Sequence, residues 1–357
     1  MKEELFPAFS KNNVAVFCST DRGYIPYCYV MLQSLIEHTT KAWNYDLIIL
    51  EEQLTPDDKA AFAGLANGRE NISVRFFNVS SHMSGRSFNI GGDLTLATWY
   101  RIFAPSIFQH YERIVYLDVD IIVLSDIERL YNVEMGENWL AGYTDLDQVS
   151  EISHNGEKSS SAAYYREIVG VTGTHKYVNA GVLVFNIQQM IRHNVESKCI
   201  NAAQKFHFGH HDQDTLNHVC FEHVKFLDST WNVFPARGFE KYLPSNDYQM
   251  WQLAKQAPNI IHYILDKPWQ SPLSDMASYW WKYAALTPYY HTLREKHLSS
   301  FFNDVLHLSS LKREYWYYRL LSHISFGKRH AVYNERKRAI RKRMQRVCIL
   351  MTMAKNQ

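Results

Sequence analysis

Short apolar segments alternate with helical patterns along the first half of the chain. Helices are predicted over residues 24–38 and 98–108, and another is predicted to start at Thr55, which precedes a proline and two acids. Four short apolar runs between them are predicted to be strands, at residues 14–18, 46–50, 72–79 and 114–117. Because this alternation is typical of βαβ units, we expect an α/β fold with a mostly parallel sheet.

The second half of the chain has a less regular pattern. It predicts a strand at residues 182–185, a helix near 214–220 and a strand at 260–264. Beyond about residue 290 the strand signals stop, and aromatic helices continue into a basic tail. We therefore expect a sheet-containing domain over residues 1–290 and a helical segment over residues 291–357.

The composition is that of a folded protein, since 46% of the 357 residues are hydrophobic and 21% are charged. The five cysteines form no CxxC pair, which argues against a disulfide framework and favours a reducing compartment. The first residues lack the order of a signal peptide, and no apolar stretch reaches the roughly 18 residues of a membrane span. We expect a cytoplasmic protein.

The net charge of +2 is unevenly distributed. Residues 311–357 contain 13 lysines and arginines and two acids, a net charge of +11. The other 310 residues contain 25 basic and 34 acidic side chains, a net charge of −9. A basic tail that also contains Tyr315-Trp316-Tyr317-Tyr318 predicts an anionic partner, either a membrane surface or a nucleic acid.

The segment with the most chemical information is a pair of carboxylates, Asp118 and Asp120, inside the apolar run of residues 114–124. Their spacing places both on the same side of an extended chain. At the carboxyl end of a parallel strand they would point into the crevice where α/β sheets bind ligands. Two hard oxygen ligands suit a divalent ion shared with substrate phosphates. The alternative is a pair of turn carboxylates that cap the next element.

A second polar segment follows the predicted strand at residues 260–264. It places His262 near the strand end and Lys267 before Pro268. The histidine is a candidate third metal ligand, and imidazole would favour manganese over magnesium. The lysine is a candidate phosphate-binding cation. Alternatively, the histidine is a hydrogen-bonded structural residue and the lysine a solvated loop charge.

Two further segments have both a structural and a functional interpretation. His207 and His211 are four residues apart and near Asp214, which permits a zinc site, although the same residues also fit a capped helix start. The small pair Ala180-Gly181 leads into a buried strand. It would allow a ligand to approach the backbone closely, or would mark a β-bulge.

These four segments occur together in one known family, in the same order as they lie along this chain. Over about residues 13–285 the chain resembles the retaining glycosyltransferases of family 8, which include bacterial lipopolysaccharide galactosyl- and glucosyltransferases and glycogenin. The matching segments are Tyr116-Leu117-Asp118-Val119-Asp120, Asn179-Ala180-Gly181, Asp212-Gln213-Asp214 with Leu216-Asn217, and His262-Tyr263 with Lys267-Pro268-Trp269. The resemblance implies a Rossmann-like, A-type nucleotide-sugar-binding fold, with residues 1–290 as the catalytic domain and a UDP-sugar as donor.

The resemblance also implies roles for individual residues, transferred by position. The implied manganese (or magnesium) ligands are Asp118, Asp120 and His262. The implied donor-binding residues are Asp21, Tyr24, Asp118, Val119, Asp145, Asn179, Ala180 and Lys267, and the implied catalytic residues are Gln213, Asp212 and Arg101. Two positions depart from the family pattern: Arg22-Gly23 replaces the usual acid and asparagine, and Leu265 replaces a glycine, with Lys267 one residue early.

The resemblance implies retaining transfer of glucose or galactose from a UDP-sugar to a lipid-linked or cell-surface glycan, such as lipopolysaccharide core. The basic tail would then attach the enzyme to the inner face of the cytoplasmic membrane, with Ile340, Met344, Val347 and Leu350 as an apolar stripe between its cations. One alternative is a nucleotide-sugar or carbohydrate-binding protein without turnover. Another is a nucleic-acid-binding tail, which is less favoured because no recognised nucleic-acid module precedes it. A third is a solvated tail helix that packs on the acidic body and is held there by the opposite charge.

Overall fold

The structure is a computed structural model that describes residues 4–86, 88, 95–271, 274–324 and 327–355. The chain divides into two compact units. The sheet unit consists of Met1–Pro268 with Leu273–Thr287, and the helical unit consists of Trp269–Pro272 with Pro288–Gln357. The functional division predicted at residue 290 stays a prediction.

The strands of the sheet unit lie close to their predicted positions in the first half of the chain. They are β1 (Asn13–Ser19), β2 (Asn44–Glu51), β3 (Ile72–Asn78), β4 (Arg113–Leu117), β5 (Ile121–Val123), β6 (Leu140–Thr144), β7 (Val178–Asn186), β8 (Val224–Phe226) and β9 (Ile260–His262). The last strand ends at His262, two residues before its predicted end.

Within the described residues, seven strands form one sheet in the order β3-β2-β1-β4-β7-β6-β8. β1, β2, β3 and β4 are parallel, β7 is antiparallel to β4 and β6, and β8 is parallel to β6. The predicted α/β fold with a mostly parallel sheet is therefore confirmed. Three of these strands, β1, β2 and β4, are recognisable in the sequence because both of their faces are covered, which makes them nearly continuous apolar runs. β3 is only half-buried over most of its length.

The helices of the sheet unit are mostly short. They are α1 (Ile25–Ile36), α2 (Pro56–Ala60), α3 (Ser80–Met83), α4 (Ala104–Ile107), α5 (Glu128–Tyr131), α6 (Leu146–Asn155), α7 (Ser160–Ala163), α8 (Ile187–Arg192), α9 (Val195–Lys205), α10 (His211–Cys220), α11 (Ser245–Gln256) and α12 (Ala277–Ala284). The helical unit contains α13 (Tyr290–Leu306), α14 (Leu308–Ile324) and α15 (Gly327–Lys355). None of the helices in the described ranges is long and apolar enough to span a bilayer.

Local sequence signals explain two helix starts. Thr55 caps α2 as predicted, because its Oγ1 accepts from the Asp58 backbone N–H at 3.2 Å while Asp58 Oδ2 accepts from the Thr55 N–H at 2.9 Å. The helix predicted at residues 98–108 is instead a 3₁₀ helix, Leu96–Phe103, followed by α4. Pro105 lies in the first turn of α4, where a proline needs no hydrogen-bond donor.

A small second sheet positions the end of β9 beside the end of β4. In it, β5 and β9 are antiparallel, and Ile121 lies opposite His262. The chain leaves β4 at Leu117 and enters β5 at Ile121, so the predicted carboxylate pair occupies the connection. This pairing brings a histidine from far along the sequence to the carboxyl end of β4, the position at which open α/β sheets bind ligands.

Candidate active site

Three side chains form a candidate metal-binding cluster. Potential ligand atoms of Asp118, Asp120 and His262 all lie within 4.8 Å of one another. His262 Nε2 is 3.3 Å from Asp120 Oδ1 and 3.7 Å from Asp118 Oδ2. The structure therefore brings together the two carboxylates and the histidine that the sequence predicted as metal ligands.

A chain of hydrogen bonds determines the orientation of His262. The carboxylate of Asp145 accepts from Asn179 Nδ2 at 3.0 Å, and Asn179 Oδ1 accepts from Asn232 Nδ2 at 3.0 Å. Asn232 Oδ1 therefore faces His262 Nδ1, at 2.9 Å. Because this amide oxygen can only accept, Nδ1 carries a proton, and in the neutral imidazole the lone pair is therefore on Nε2, the nitrogen that faces the two carboxylates. That tautomer is the one a metal ligand requires.

Gly181 leaves room for this cluster. A Cβ at this position would lie 2.1 Å from His262 Cε1 and 2.8 Å from Asp118 Oδ2. The Gly181 carbonyl also accepts from the Asp118 backbone N–H at 2.8 Å. The sequence allows two interpretations of Ala180-Gly181, close approach of a ligand to the backbone or a β-bulge. At Gly181 the backbone is closely approached, but by the side chains of His262 and Asp118. A register irregularity between β6 and β7 is also present, at Gly142 and Thr144.

Arg101 connects the cluster to the residues expected beneath the donor sugar. It is buried, its Nη2 is 3.1 Å from Asp118 Oδ1, and its Nε is 2.8 Å from Asp212 Oδ2. Its guanidinium also lies 4.2 Å from the centre of the Tyr116 ring. Burial disfavours a charged arginine, but the adjacent carboxylates outweigh that effect and keep the pKa of Arg101 above its usual value. Arg101 is therefore a fixed cation between the two carboxylates.

Asp212, which is paired with Arg101, and Asp120, which is paired with Lys267, differ in proton affinity. Burial raises the pKa of Asp212 to about 6, with Arg101 opposing the shift and Asp118 adding to it. Burial would also raise the pKa of Asp120, but Lys267 and His262 outweigh it and lower the pKa. Without a bound cation, Asp212 holds a proton more readily than Asp120 does.

Gln213 is held at both ends of its side-chain amide. Its Oε1 accepts from the Ala180 backbone N–H at 2.8 Å, and its Nε2 donates to Asp145 Oδ2 at 3.1 Å and to Tyr177 Oη at 3.2 Å. The nearby Asp214 accepts from Tyr177 and Tyr164, both at 2.6 Å, and from the His210 backbone N–H at 2.7 Å. These bonds give Asp214 a structural role at the start of α10.

The remaining predicted donor-binding residues line two cavities. A smaller cavity of about 130 Å³ contains Asp21, Tyr24 and Val119 in its wall, and a larger one of about 650 Å³ contains Asp145, Asn179, Ala180 and Lys267, together with the predicted catalytic residue Gln213. The two cavities share Thr98, Arg101, Asp118 and Asp120. Asp21 also caps a 3₁₀ turn, since its Oδ1 accepts from Gly23 N–H at 2.7 Å.

Lys267 is ion-paired at the cluster and mostly buried, so it is not the solvated loop charge that was the alternative to a phosphate-binding cation. Its Nζ forms an ion pair with Asp120 and donates to the backbone carbonyls of Tyr263 at 2.7 Å and Ile264 at 3.1 Å. These contacts hold the lysine over the cluster. It stays at the cavity wall, next to a metal-ligand candidate.

Sequence reasoning missed Asn232, which orients His262, and Gln148 and Arg237, which line the larger cavity. Asn232 is completely buried between Trp231 and Val233. A polar residue between apolar neighbours was the available signal, but nothing in the sequence links it to a histidine thirty positions away.

Comparisons with known proteins agree with this geometry. The model of glycosyl transferase family 8 matches residues 15–272. A Haemophilus influenzae protein named as a glycosyltransferase is 27% identical over 225 residues, 62% of this chain and 63% of that protein. The lipopolysaccharide 1,3-galactosyltransferase of Salmonella typhimurium is 24% identical over 233 residues, 58% of this chain and 65% of that protein.

Among solved structures, the WbbM bifunctional glycosyltransferase in its apo form is similar to this chain, with a TM-score of 0.76 and 26% identity over 83% of this chain and 53% of that chain. This chain thus spans less than two thirds of the length of each of these three relatives. The family match nevertheless covers most of the sheet unit, including the carboxylate pair and His262. The chain belongs to glycosyl transferase family 8.

Proposed function

We propose that this glycosyltransferase transfers glucose or galactose from a UDP-sugar to a hydroxyl of a lipid-linked or cell-surface glycan, and that the new linkage retains the donor's configuration. The observation that supports this most is the shared wall of the two cavities, formed by Thr98, Arg101, Asp118 and Asp120. A nucleotide in the smaller cavity and a sugar in the larger one would place the diphosphate between them at this wall.

We propose Mn²⁺, with Mg²⁺ as the alternative, as the ion held by Asp118, Asp120 and His262. The residues fit such an ion, because two carboxylates and an imidazole lone pair converge and the buried Asp120 Oδ1 has no hydrogen-bond partner in the described residues. An imidazole ligand favours manganese. When bound, the ion supplies Lewis-acid stabilisation of the charge on the UDP leaving group.

The protein's own cations would assist at the same place. Arg101 is already oriented by Asp118 and Asp212, so it costs little reorganisation to stabilise phosphate charge. In the proposed complex Lys267 exchanges its ion pair with Asp120 for a phosphate oxygen. Asp21, Tyr24 and Val119 bind the nucleoside in the smaller cavity.

The environment of Gln213 supports same-face attack on the donor sugar. Both ends of its amide are hydrogen-bonded, and Asp212 is ion-paired with Arg101. We propose that Gln213 and Asp212 lie beneath the anomeric carbon while the acceptor hydroxyl attacks it from the side on which the bond to the phosphate breaks. The hydroxyl proton then passes to the departing phosphate. A proton NMR spectrum of the product tests the retention, and a β linkage would contradict it.

The acceptor proposal rests on the relatives. The Salmonella typhimurium relative is named for galactosyl transfer in lipopolysaccharide, and we propose a glycan of that class, such as lipopolysaccharide core. The enzyme would then work at the inner face of the cytoplasmic membrane, where a lipid-linked acceptor is exposed.

We further propose that the helical unit attaches the enzyme to an anionic membrane surface. Trp316, Tyr317 and Leu320 of α14 are each about 60% exposed, and residues 311–357 have a net charge of +11. We predicted that an apolar stripe on α15 would insert into the membrane surface. Ile340 of this stripe is only 5% exposed, so its side chain is not available for insertion. The side chains of Val347 and Leu350 lie outside the described part of the chain. The attachment surface is therefore assigned to α14.

A donor screen tests the transfer proposal. Purified protein is incubated with Mn²⁺ and UDP-glucose, UDP-galactose or their N-acetyl counterparts, with and without a glycan acceptor, and released UDP is measured. We expect UDP release from one of the two hexose donors, abolished by chelator. Donor binding without any UDP release would instead support the binding-protein alternative. Salt-sensitive binding to DNA but not to anionic vesicles would support the nucleic-acid alternative for the tail.

A further inference from the structure

The larger cavity continues beyond the residues proposed for the donor sugar. Its far wall is formed by α6, by the segment around Tyr165 and by the 3₁₀ helix Phe239–Tyr242. Asp147, Glu151 and His154 of α6 lie in this wall at helical spacing. The donor-side residues Asp145 and Asn179 line the same cavity, so a molecule at the far wall would face the donor sugar directly.

Hydrogen bonds fix this far wall to the catalytic residues. Asp145 caps α6, since its Oδ1 accepts from the backbone N–H groups of Asp147 at 3.0 Å and Gln148 at 3.2 Å, while its Oδ2 accepts from Asn179 and Gln213. On the other side, Ser150 Oγ donates to the carbonyl of Phe239 at 2.7 Å. The wall is therefore prepared before any ligand arrives.

The wall combines rings with polar groups. The Tyr242 ring lies 3.9 Å from the His154 ring and is 44% exposed, so it offers an amphipathic surface. Gln148 also lines the cavity, and it is only 3% exposed. Its Oε1 has no hydrogen-bond partner among the described residues. A buried amide oxygen without a partner is costly, and a ligand donor would remove that cost.

The charges around the cavity restrict the ligand. The described lysines and arginines that line it are Arg101, Arg237 and Lys267, and each is ion-paired with an aspartate. Arg237 pairs with Asp147, on the far wall itself. Glu151 adds a further carboxylate there. In the proposed donor complex Arg101 and Lys267 are engaged by the diphosphate. The charge of Arg237 is matched by Asp147, so a phosphate or carboxylate on the acceptor would meet the uncompensated carboxylate of Glu151.

From these observations we infer that the far wall is the acceptor subsite, and that it takes an uncharged pyranose. This inference rests on the proposed function. The sugar lies with its apolar face against Tyr242 and donates a hydroxyl to Gln148 Oε1, while Glu151 accepts from another hydroxyl. A few placed polar groups beside an aromatic ring are the usual composition of a small-molecule site.

An acceptor panel tests the inference. Alkyl glycosides of glucose and galactose are compared with the glucuronide and with the 6-phosphates of the same sugars, and sugar transfer is measured beside donor hydrolysis. We expect at least tenfold higher kcat/KM for the neutral acceptors. Equal or better transfer to the charged acceptors would overturn the inference. If no UDP is released from any donor, with or without acceptor, the proposed function itself fails.

Variants of the wall provide the second test. In Tyr242→Ala, the ratio of transfer to hydrolysis should fall about tenfold, with a raised acceptor KM, and Tyr242→Phe should retain the ratio because the ring remains. Gln148→Leu should also raise the acceptor KM. Tyr248→Ala removes a tyrosine outside the cavity and should not change the ratio. An unchanged ratio in Tyr242→Ala would contradict the assignment even if Gln148→Leu fails to fold.

Discussion

Asn232 Oδ1 lies 2.9 Å from His262 Nδ1, and this contact decides which nitrogen of the imidazole faces the carboxylates. The orientation of Asn232 is itself determined, through Asn179, by the carboxylate of Asp145. Asp145 and Asn179, which line the larger cavity, therefore orient a candidate metal ligand. Hydrogen-bond partners of this kind typically change metal affinity or activity 10–100-fold when they are removed.

The first prediction concerns this contact. Asn232→Leu removes the acceptor for Nδ1–H, so His262 can adopt the other tautomer, and we expect Mn²⁺ affinity to fall about 10–100-fold. Asn232→Asp keeps an acceptor and should retain more affinity than the leucine variant. Electron paramagnetic resonance titration measures the affinity, and ¹⁵N NMR of the metal-free protein identifies the tautomer. Wild-type affinity and tautomer in Asn232→Leu would contradict the role of Asn232.

The second prediction concerns the carboxylate Asp120. Its Oδ1 is buried without a hydrogen-bond partner in the described residues, as expected for a ligand atom. Asp120→Asn should lower kcat/KM by at least about a hundredfold, which is about 3 kcal/mol of transition-state stabilisation. It should also weaken Mn²⁺ binding. Asp57→Asn, at the exposed start of α2, is the matched control and should change neither quantity. Full activity of Asp120→Asn, or undiminished activity in chelator, would refute the metal proposal.

The third prediction uses the close packing at Gly181. The methyl group of Gly181→Ala would overlap His262 Cε1 and approach Asp118 Oδ2, and both are in the cluster. We expect Mn²⁺ binding and UDP release to be lost together, because His262 must move. Gly64→Ala is the control, since its new methyl group would meet only Tyr29 Oη, at 3.4 Å. If Gly181→Ala binds Mn²⁺ normally, the arrangement of the cluster described here is wrong.

The three candidate metal ligands that the sequence named, and that the structure brings together, share a local signal. Asp118 and Asp120 are conspicuous because they interrupt an apolar strand region, and His262 because it ends an apolar strand. Asn232 and Gln148 have no such signal. Their roles depend on partners brought near by β5–β9 pairing and by the packing of α6, and these long-range contacts cannot be inferred from local spacing.

The helical unit shows the same limit. Helical spacing correctly indicated helices beyond residue 290, but it could not show which face is covered. Ile340 is buried, and Arg336 donates to Tyr318 Oη at 2.6 Å, so part of the predicted aromatic and basic surface is used within the unit. Periodicity defines a stripe on a helix, whereas the neighbouring helix decides whether that stripe meets solvent.

The fourth prediction concerns pH and Asp212. The pKa of Asp212 is about 6 in the folded protein against about 3.8 for an exposed aspartate, so between these values the folded state binds a proton that the unfolded state lacks. The free energy of unfolding should therefore fall as pH rises from about 4 to 6, by at most about 3 kcal/mol from this group. In Asp212→Asn this side chain cannot titrate, so the free energy of unfolding of the variant lacks this pH-dependent contribution.

Chemical denaturation of the metal-free protein, in chelator, at a series of pH values measures the effect. The stability of the wild type minus that of Asp212→Asn should decrease over this pH range and be constant above pH 7. The exposed Asp57→Asn should leave the pH dependence unchanged. A stability difference that stays flat, or that increases with pH, would show that burial does not raise the pKa of Asp212.

The fifth prediction concerns the exposed face of α14. Replacing Trp316, Tyr317 and Leu320 together by serine removes three apolar side chains that are each about 60% exposed and leaves all charges in place. We expect sedimentation with anionic vesicles to be lost, because the tail's cations, each worth roughly 1 kcal/mol near an anionic leaflet, act together with apolar insertion. Serine at Leu253, a 65% exposed leucine on α11, is the matched control and should still sediment. If the triple variant sediments like the wild type, or if the wild type never binds anionic vesicles, α14 is not the attachment surface.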